Sequence, residues 1–125
     1  MPKNILQKII NNRIKEIEKQ KTLLSSETLQ DQINQNENED MHGIKYYDFK
    51  KKISDNIKNG KISIIGEIKK ASPSAGVIIE NYFPQDIAKI YKSKNITCLS
   101  VLAEQEYFLG DMMDISFCKQ QCDLP

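Results

Sequence analysis

The residues Ile64-Ile65-Gly66-Glu67-Ile68-Lys69-Lys70-Ala71-Ser72-Pro73-Ser74 (IIGEIKKASPS) start as a buried strand and finish as something else. Two isoleucines open the run, a carboxylate and an ammonium follow two residues apart, and Ser-Pro-Ser breaks it. The pattern predicts a strand over 62–69. Side chains alternate across a strand, so Ile65, Glu67 and Lys69 share one face, and Ile64, Gly66 and Ile68 share the other. The second face suits packing under helices. The first turns from apolar to charged towards its carboxyl end. A buried Glu67 and Lys69 side by side stabilise each other's charged forms and can orient an anionic substrate. A structural ion pair at a strand end fits the same spacing.

Downstream, Ser72 to Tyr82 reads as a loop containing Pro73 and Gly76. Pro84 suits a first helical turn, Ile87, Ala88, Ile90 and Tyr91 form an apolar face, and Asn95 can take the left-handed conformation at the helix end. A second strand, nearly all apolar, is predicted over 96–102 (ITCLSVL), with Cys98, Ser100 and Leu102 on one face. The loop from Ala103 to Gly110 carries Tyr107 and Phe108, two aromatics that can wall a flat apolar ligand or tuck onto the neighbouring helix. Asp111 can cap a third helix with Asp114 three residues on, and that helix carries Met112, Met113, Ile115 and Phe117. Cys122 to Pro125 reads as the lead-in to another strand. Strand-helix-strand-helix with apolar strands is a parallel α/β pattern. Two parallel strands cannot bury both of their faces, so another chain or a larger fold is expected to supply the rest.

Upstream, residues 1–60 read as a helical extension to the βα units of 61–125. Ile5, Leu6, Ile9, Ile10, Ile14 and Ile17 recur at three- and four-residue steps, predicting an amphipathic helix over 4–24 with Asn4 as its cap. Residues 25–43 lack periodicity and read as a polar loop with a helical turn around Leu29. Phe49, Ile53 and Ile57 repeat every four residues, so 45–60 reads as a short helix closed by Asn59-Gly60.

Composition narrows the partners. The chain has 125 residues, with 18 basic and 17 acidic side chains and a formal net charge of +1. Nucleic-acid-binding domains carry a basic excess, so no nucleic acid partner is expected. Arg13 is the single arginine, which nearly removes bidentate recognition of phosphate. Three cysteines, Cys98, Cys118 and Cys122, make an odd set that suits a reducing compartment, and small buried thiols explain them more simply than a metal site. No run approaches a membrane span or a signal peptide, so a cytoplasmic protein without membrane partners is expected.

The motifs EIKKASPS, Gly76-Val77-Ile78, Ile87-Ala88 with Tyr91, and LSVL followed by EYF-x-G together resemble the indole-3-glycerol-phosphate synthase family. The Tyr47-Asp48-Phe49 region is similar to that family's segment before its first strand. The resemblance covers essentially the whole chain. It implies a (βα)8 TIM barrel with an extra N-terminal helical segment, of which only strands 1 and 2 are present here. It also implies a carbon-carbon lyase of tryptophan biosynthesis that needs no cofactor or metal and acts on a phosphorylated small molecule. By that resemblance, Lys69 is a catalytic ammonium and Glu67 the carboxylate that tunes it, while Ser72, Ser100, Leu102 and Phe108 line the substrate pocket. Ala103 stands where the family usually has threonine, and Asn95-Ile96 replaces a usual Gly-Ala. The family's third-strand Leu-x-Lys-Asp-Phe motif, which bears the expected general acid, has no counterpart here. The chain alone is therefore expected to be inactive and poorly stable, to need the C-terminal part of the barrel, and, in some settings, to be fused to an isomerase barrel. A non-catalytic remnant or complementing half is the alternative.

Overall fold

A computed structural model of the chain describes residues 4–38 and 46–125. Contacts divide it into two units, Met1–Lys45 and Tyr46–Pro125. The first holds α1 (Ile5–Leu23) and α2 (Ser26–Asn38). No residue of α1 is buried, and Asn4 stands at its cap position without a side-chain capping bond. Helix α2 corrects the expectation of a polar loop over 25–43, of which 39–43 lie outside the described residues. The Ser25 hydroxyl accepts the Thr28 amide at 3.1 Å, and Gln30 bonds Asn34 one turn on. Gln and Glu are good helix formers, so the polarity of this stretch specifies exposure rather than irregular backbone.

The second unit contains α3 (Phe49–Lys58), β1 (Ile65–Ile68), β2 (Ala71–Ser72), β3 (Gly76–Val77), α4 (Pro84–Ser93), β4 (Cys98–Val101) and α5 (Met112–Gln121). β1 and β4 pair in parallel, with Ile65 opposite Cys98, Gly66 opposite Leu99, Glu67 opposite Ser100 and Ile68 opposite Val101. The parallel α/β expectation holds for these elements. Both strands are shorter than expected, and at their amino ends the reason is local. Instead of continuing a ladder, the Ile64 amide donates to the Thr97 hydroxyl at 3.0 Å, and the Ile96 amide turns back to the Tyr91 carbonyl. The predicted loop after β1 contains a small antiparallel ribbon, β2 with β3, whose turn uses Gly76 at φ +67°.

The caps follow the sequence closely. Helix α3 begins at Phe49 rather than 45, because the Asp48 carboxylate accepts the Lys51 amide. Past its end, Gly60 takes φ +66° and the Lys61 amide reaches back to the Asn56 carbonyl. Pro84 opens α4, and Asn95 follows it at φ +59°. Asp111 and Asp114 form a reciprocal capping box at the start of α5.

Ile68, Ala88, Cys118 and Cys122 form the buried core, with Tyr82, Ile87, Tyr91, Leu99, Val101 and Leu124 packed around them. Helices α4 and α5 therefore cover the sheet face that carries Gly66, Ile68, Leu99 and Val101. Full burial of Ile68 contributes roughly 1.5–3 kcal/mol. Gly66 has a steric role: a Cβ there would lie 2.6 Å from the Tyr91 ring. The cysteines are buried thiols, and burial pushes the Cys118 thiol up to about 11. Tyr82 reaches about 12, first through burial and then through Asp114 and Cys118. No described helix is long and apolar enough to cross a membrane.

The lead-in expected at Cys122 to Pro125 has a definite place. Leu102 and Cys98 send their amides towards β1, so the alternate amide of Leu99 points to the opposite edge. There it donates to the Pro125 carbonyl at 2.8 Å. The chain thus returns from α5 to lie along the far edge of β4.

Candidate functional site

The sheet face opposite α4 and α5 carries the polar groups. Lys69 Nζ lies 2.6 Å from Glu67 Oε1 at the carboxyl end of β1. The pair forms as the spacing suggested, but it is not buried: 31% of the Lys69 side chain and 51% of the Glu67 side chain are accessible. Among the described residues only two parallel strands build this face, so nothing encloses it. A pair this exposed contributes little to stability, about 0–1 kcal/mol. Its two heads remain free to meet a ligand.

Ser100 lies beside Glu67 on β4 through the strand register, and its side is exposed. Leu102 follows β4 directly, half-buried, and its amide extends the pairing to the Ile68 carbonyl at 3.0 Å. Ser72 sits on β2, where its hydroxyl accepts the Ala75 amide at 3.2 Å and meets the Ser74 hydroxyl at 3.4 Å. That hydroxyl already shapes its own turn. Phe108 is half-buried on the loop after β4. The structure therefore groups Glu67, Lys69 and Ser100, with Leu102 just beyond the strand, and leaves Ser72 on the β2–β3 ribbon and Phe108 on the loop after β4.

Two contributors escaped the sequence reading. Tyr91, expected only as part of an apolar helix face, also donates its hydroxyl to the Glu67 main-chain carbonyl at 2.9 Å. It pins the strand at the residue that carries the carboxylate. The signal was Gly66: a glycine on the buried face of a strand leaves room for an aromatic ring from the next helix. The second is Glu104, whose carboxylate accepts the amides of Glu106, Tyr107 and Phe108 at 3.1, 2.7 and 3.1 Å. An acid three and four residues ahead of a loop's two aromatics was the available sign. Burial, with Glu106 and Glu104 nearby, raises the Tyr107 phenol above its ordinary value. Among the described residues no three His, Cys, Asp or Glu side chains gather as metal ligands.

Parallel βα units, helices on one face and charged and hydroxyl groups at the carboxyl ends of the strands on the other define an α/β protein of the kind whose working groups sit at strand ends. The family model described as indole-3-glycerol phosphate synthase matches residues 6–125. The chain belongs to that family, whose fold is the TIM barrel. Among its relatives, the indole-3-glycerol phosphate synthase of Acetivibrio thermocellus is 49% identical over 67 residues, covering 54% of this chain and 26% of the relative. That of Bordetella pertussis is 43% identical over 77 residues, covering 62% and 29%. That of Burkholderia multivorans is 44% identical over 66 residues, covering 53% and 25%. The chain spans about a quarter of the length of the relatives it matches.

Proposed function

We propose that this chain is the N-terminal part of an indole-3-glycerol-phosphate synthase, supplying the first two strands of its barrel and half of its active site. The reaction closes an indole ring on 1-(2-carboxyphenylamino)-1-deoxyribulose 5-phosphate, with loss of carbon dioxide and water. Lys69 holds the substrate's anionic groups and stabilises charge as the ring closes, and Glu67 orients the ammonium. Ser72 and Ser100 offer hydroxyls, and Leu102 and Phe108 wall the aromatic end. The general acid and the remaining phosphate contacts come from barrel strands beyond these two, so the 125-residue chain is inactive alone. The observation that carries this reading is the accessible Lys69–Glu67 pair, 2.6 Å apart at the carboxyl end of β1. The open β1 edge and the Pro125 carbonyl on the far edge of β4 favour a chain that completes its sheet with further strands.

The test is complementation. The chain is co-expressed with, or fused to, the C-terminal part of the Acetivibrio thermocellus relative, and indole-3-glycerol phosphate formation is assayed. Activity of the assembled barrel, absent from either part, is the expected result; no activity from a folded assembly overturns the reading. Within that barrel, Lys69→Met is expected to lower turnover by at least about a hundredfold, as for loss of a charge that stabilises a transition state, with little change in the urea midpoint. An unchanged rate removes Lys69 from the mechanism. A complementing half that only binds a separate barrel portion predicts assembly without turnover.

A further inference from the structure

We propose that Glu104 is the positioning residue of the aromatic rim: its carboxylate clamps the loop from 104 to 110 into one shape and so fixes Tyr107 and Phe108 at the carboxyl end of β4. The inference deepens the synthase reading and rests on it for the identity of the ligand.

The geometry is that of a bound anion in a ring of amides. Three amides converge on one carboxylate, with Glu106 on Oε1 and Tyr107 and Phe108 both on Oε2. Successive main-chain N–H groups form an anion-binding concavity, and here the anion is the loop's own side chain. Hydrogen bonds to a charged acceptor are about twice as strong as neutral ones. The Glu104 carbonyl also accepts the Gly110 amide at 2.9 Å, so the same residue closes the loop at its far end. The closure leaves no room for other backbone: Leu109 takes φ +51°, and a Cβ on Gly110 would lie 2.0 Å from the Leu102 carbonyl oxygen. A non-glycine residue at positive φ persists only where its surroundings over-determine it. Glu104 is the group that does so here. Phe108 is half-buried on this loop, and its own amide is one of the three held.

Two measurements test this. In the isotope-labelled 125-residue chain, the amide protons of Glu106, Tyr107 and Phe108 are followed by NMR from neutral to acid pH. They are expected to lie downfield and to move together at one carboxyl midpoint, and Glu104→Gln is expected to abolish the common titration. Independent titrations, or random-coil shifts for these three amides in a parent chain whose α4 and α5 amides show folded dispersion, overturn the clamp. In the complemented barrel, Glu104→Gln is expected to raise KM by about tenfold with kcat nearly kept, the signature of lost ground-state and transition-state binding alike. A fall in kcat at unchanged KM reports a loss of folded enzyme and overturns the positioning role. A parent barrel without activity, beside a common titration of the three amides, overturns the synthase reading and upholds the clamp.

Discussion

Gly66 lies against the Tyr91 ring, and the same ring ends in a hydroxyl bonded to the Glu67 carbonyl. One methyl group there disturbs both the packing and the strand that carries the candidate carboxylate. Gly66→Ala is expected to destabilise the protein by about 1–3 kcal/mol, the usual cost of overpacking, read as a lower urea midpoint. Equal stability would mean that the ring is free to move aside. The chemistry-bearing residues were legible at this scale because period-two alternation places Glu67 and Lys69 together whatever surrounds them. Their exposure was not, since burial depends on chain that alternation says nothing about. The Thr97 hydroxyl was also missed. It takes the Ile64 amide and approaches the Asn56 side chain at 3.4 Å, which ties α3 to the start of the sheet. A threonine inside an apolar run reads as a strand former, and only the fold turns its hydroxyl into a strand terminator.

At the level of the element, caps carried the most reliable information. Asp48, Pro84, Asn95 and Asp111 all act where their side chains or fixed dihedrals act best, because capping is decided within four residues. Helix α5 depends on its cap more than α4 does. Met112, Met113 and Phe117 remain exposed, and Cys118 is its one buried residue. Asp111→Ala removes the carboxylate that accepts the Met113 amide, while the main-chain amide at 111 can still donate to Asp114, and is expected to cost about 1 kcal/mol. Hydrogen exchange in the first turn of α5 is the sensitive readout, and unaltered protection there would assign the helix start to packing instead. Strand lengths and α2 were read less well. β1 starts late because a side chain captures the Ile64 amide, β4 because the Ile96 amide turns back to the Tyr91 carbonyl, and α2 offers only Leu29 and Ile33 as a stripe, so periodicity has little to register.

For the molecule as a whole, the three thiols report folding. Cys98, Cys118 and Cys122 are at most 5% exposed, so thiol reagents are expected to react with them only through opening. The folded state favours the neutral thiol of Cys118, with its pKa raised from 9.0 to about 11. Its contribution is therefore complete below pH 9.0 and is lost as the pH rises through about 11. The urea midpoint is expected to fall across that interval, and Cys118→Ala to flatten the fall; a parallel curve for the variant would assign the alkaline loss elsewhere. Among the described residues no strand lies on the far edge of β1, where the Tyr91 hydroxyl donates to the Glu67 carbonyl, and this edge with exposed Ile62, Ile64 and Ile65 makes self-association the main hazard of the isolated chain. Sedimentation is expected to show a concentration-dependent shift that an excess of the complementing barrel portion suppresses. No shift at high concentration would mean that the edge is protected. The parallel βα order was legible over residues 61–125, because alternating apolar runs and amphipathic stretches carry it. The completeness of the barrel was not, because strands 1 and 2 look alike whether or not others follow.

The pairing of Ile64 with Thr97 spans 33 residues, and the return of Pro125 to Leu99 follows in the same direction along the chain. Each new strand is laid against one already made. A ribosome delivering this polypeptide from its amino end presents β1, α4, β4 and α5 in the order of the row, and each parallel pairing must wait until its crossover helix has been made. Assembly can thus begin in the nascent chain and proceed as a growing row. In the proposed barrel the β1 edge waits longest for its neighbour, because in a closed ring the last strand made is the one that meets the first.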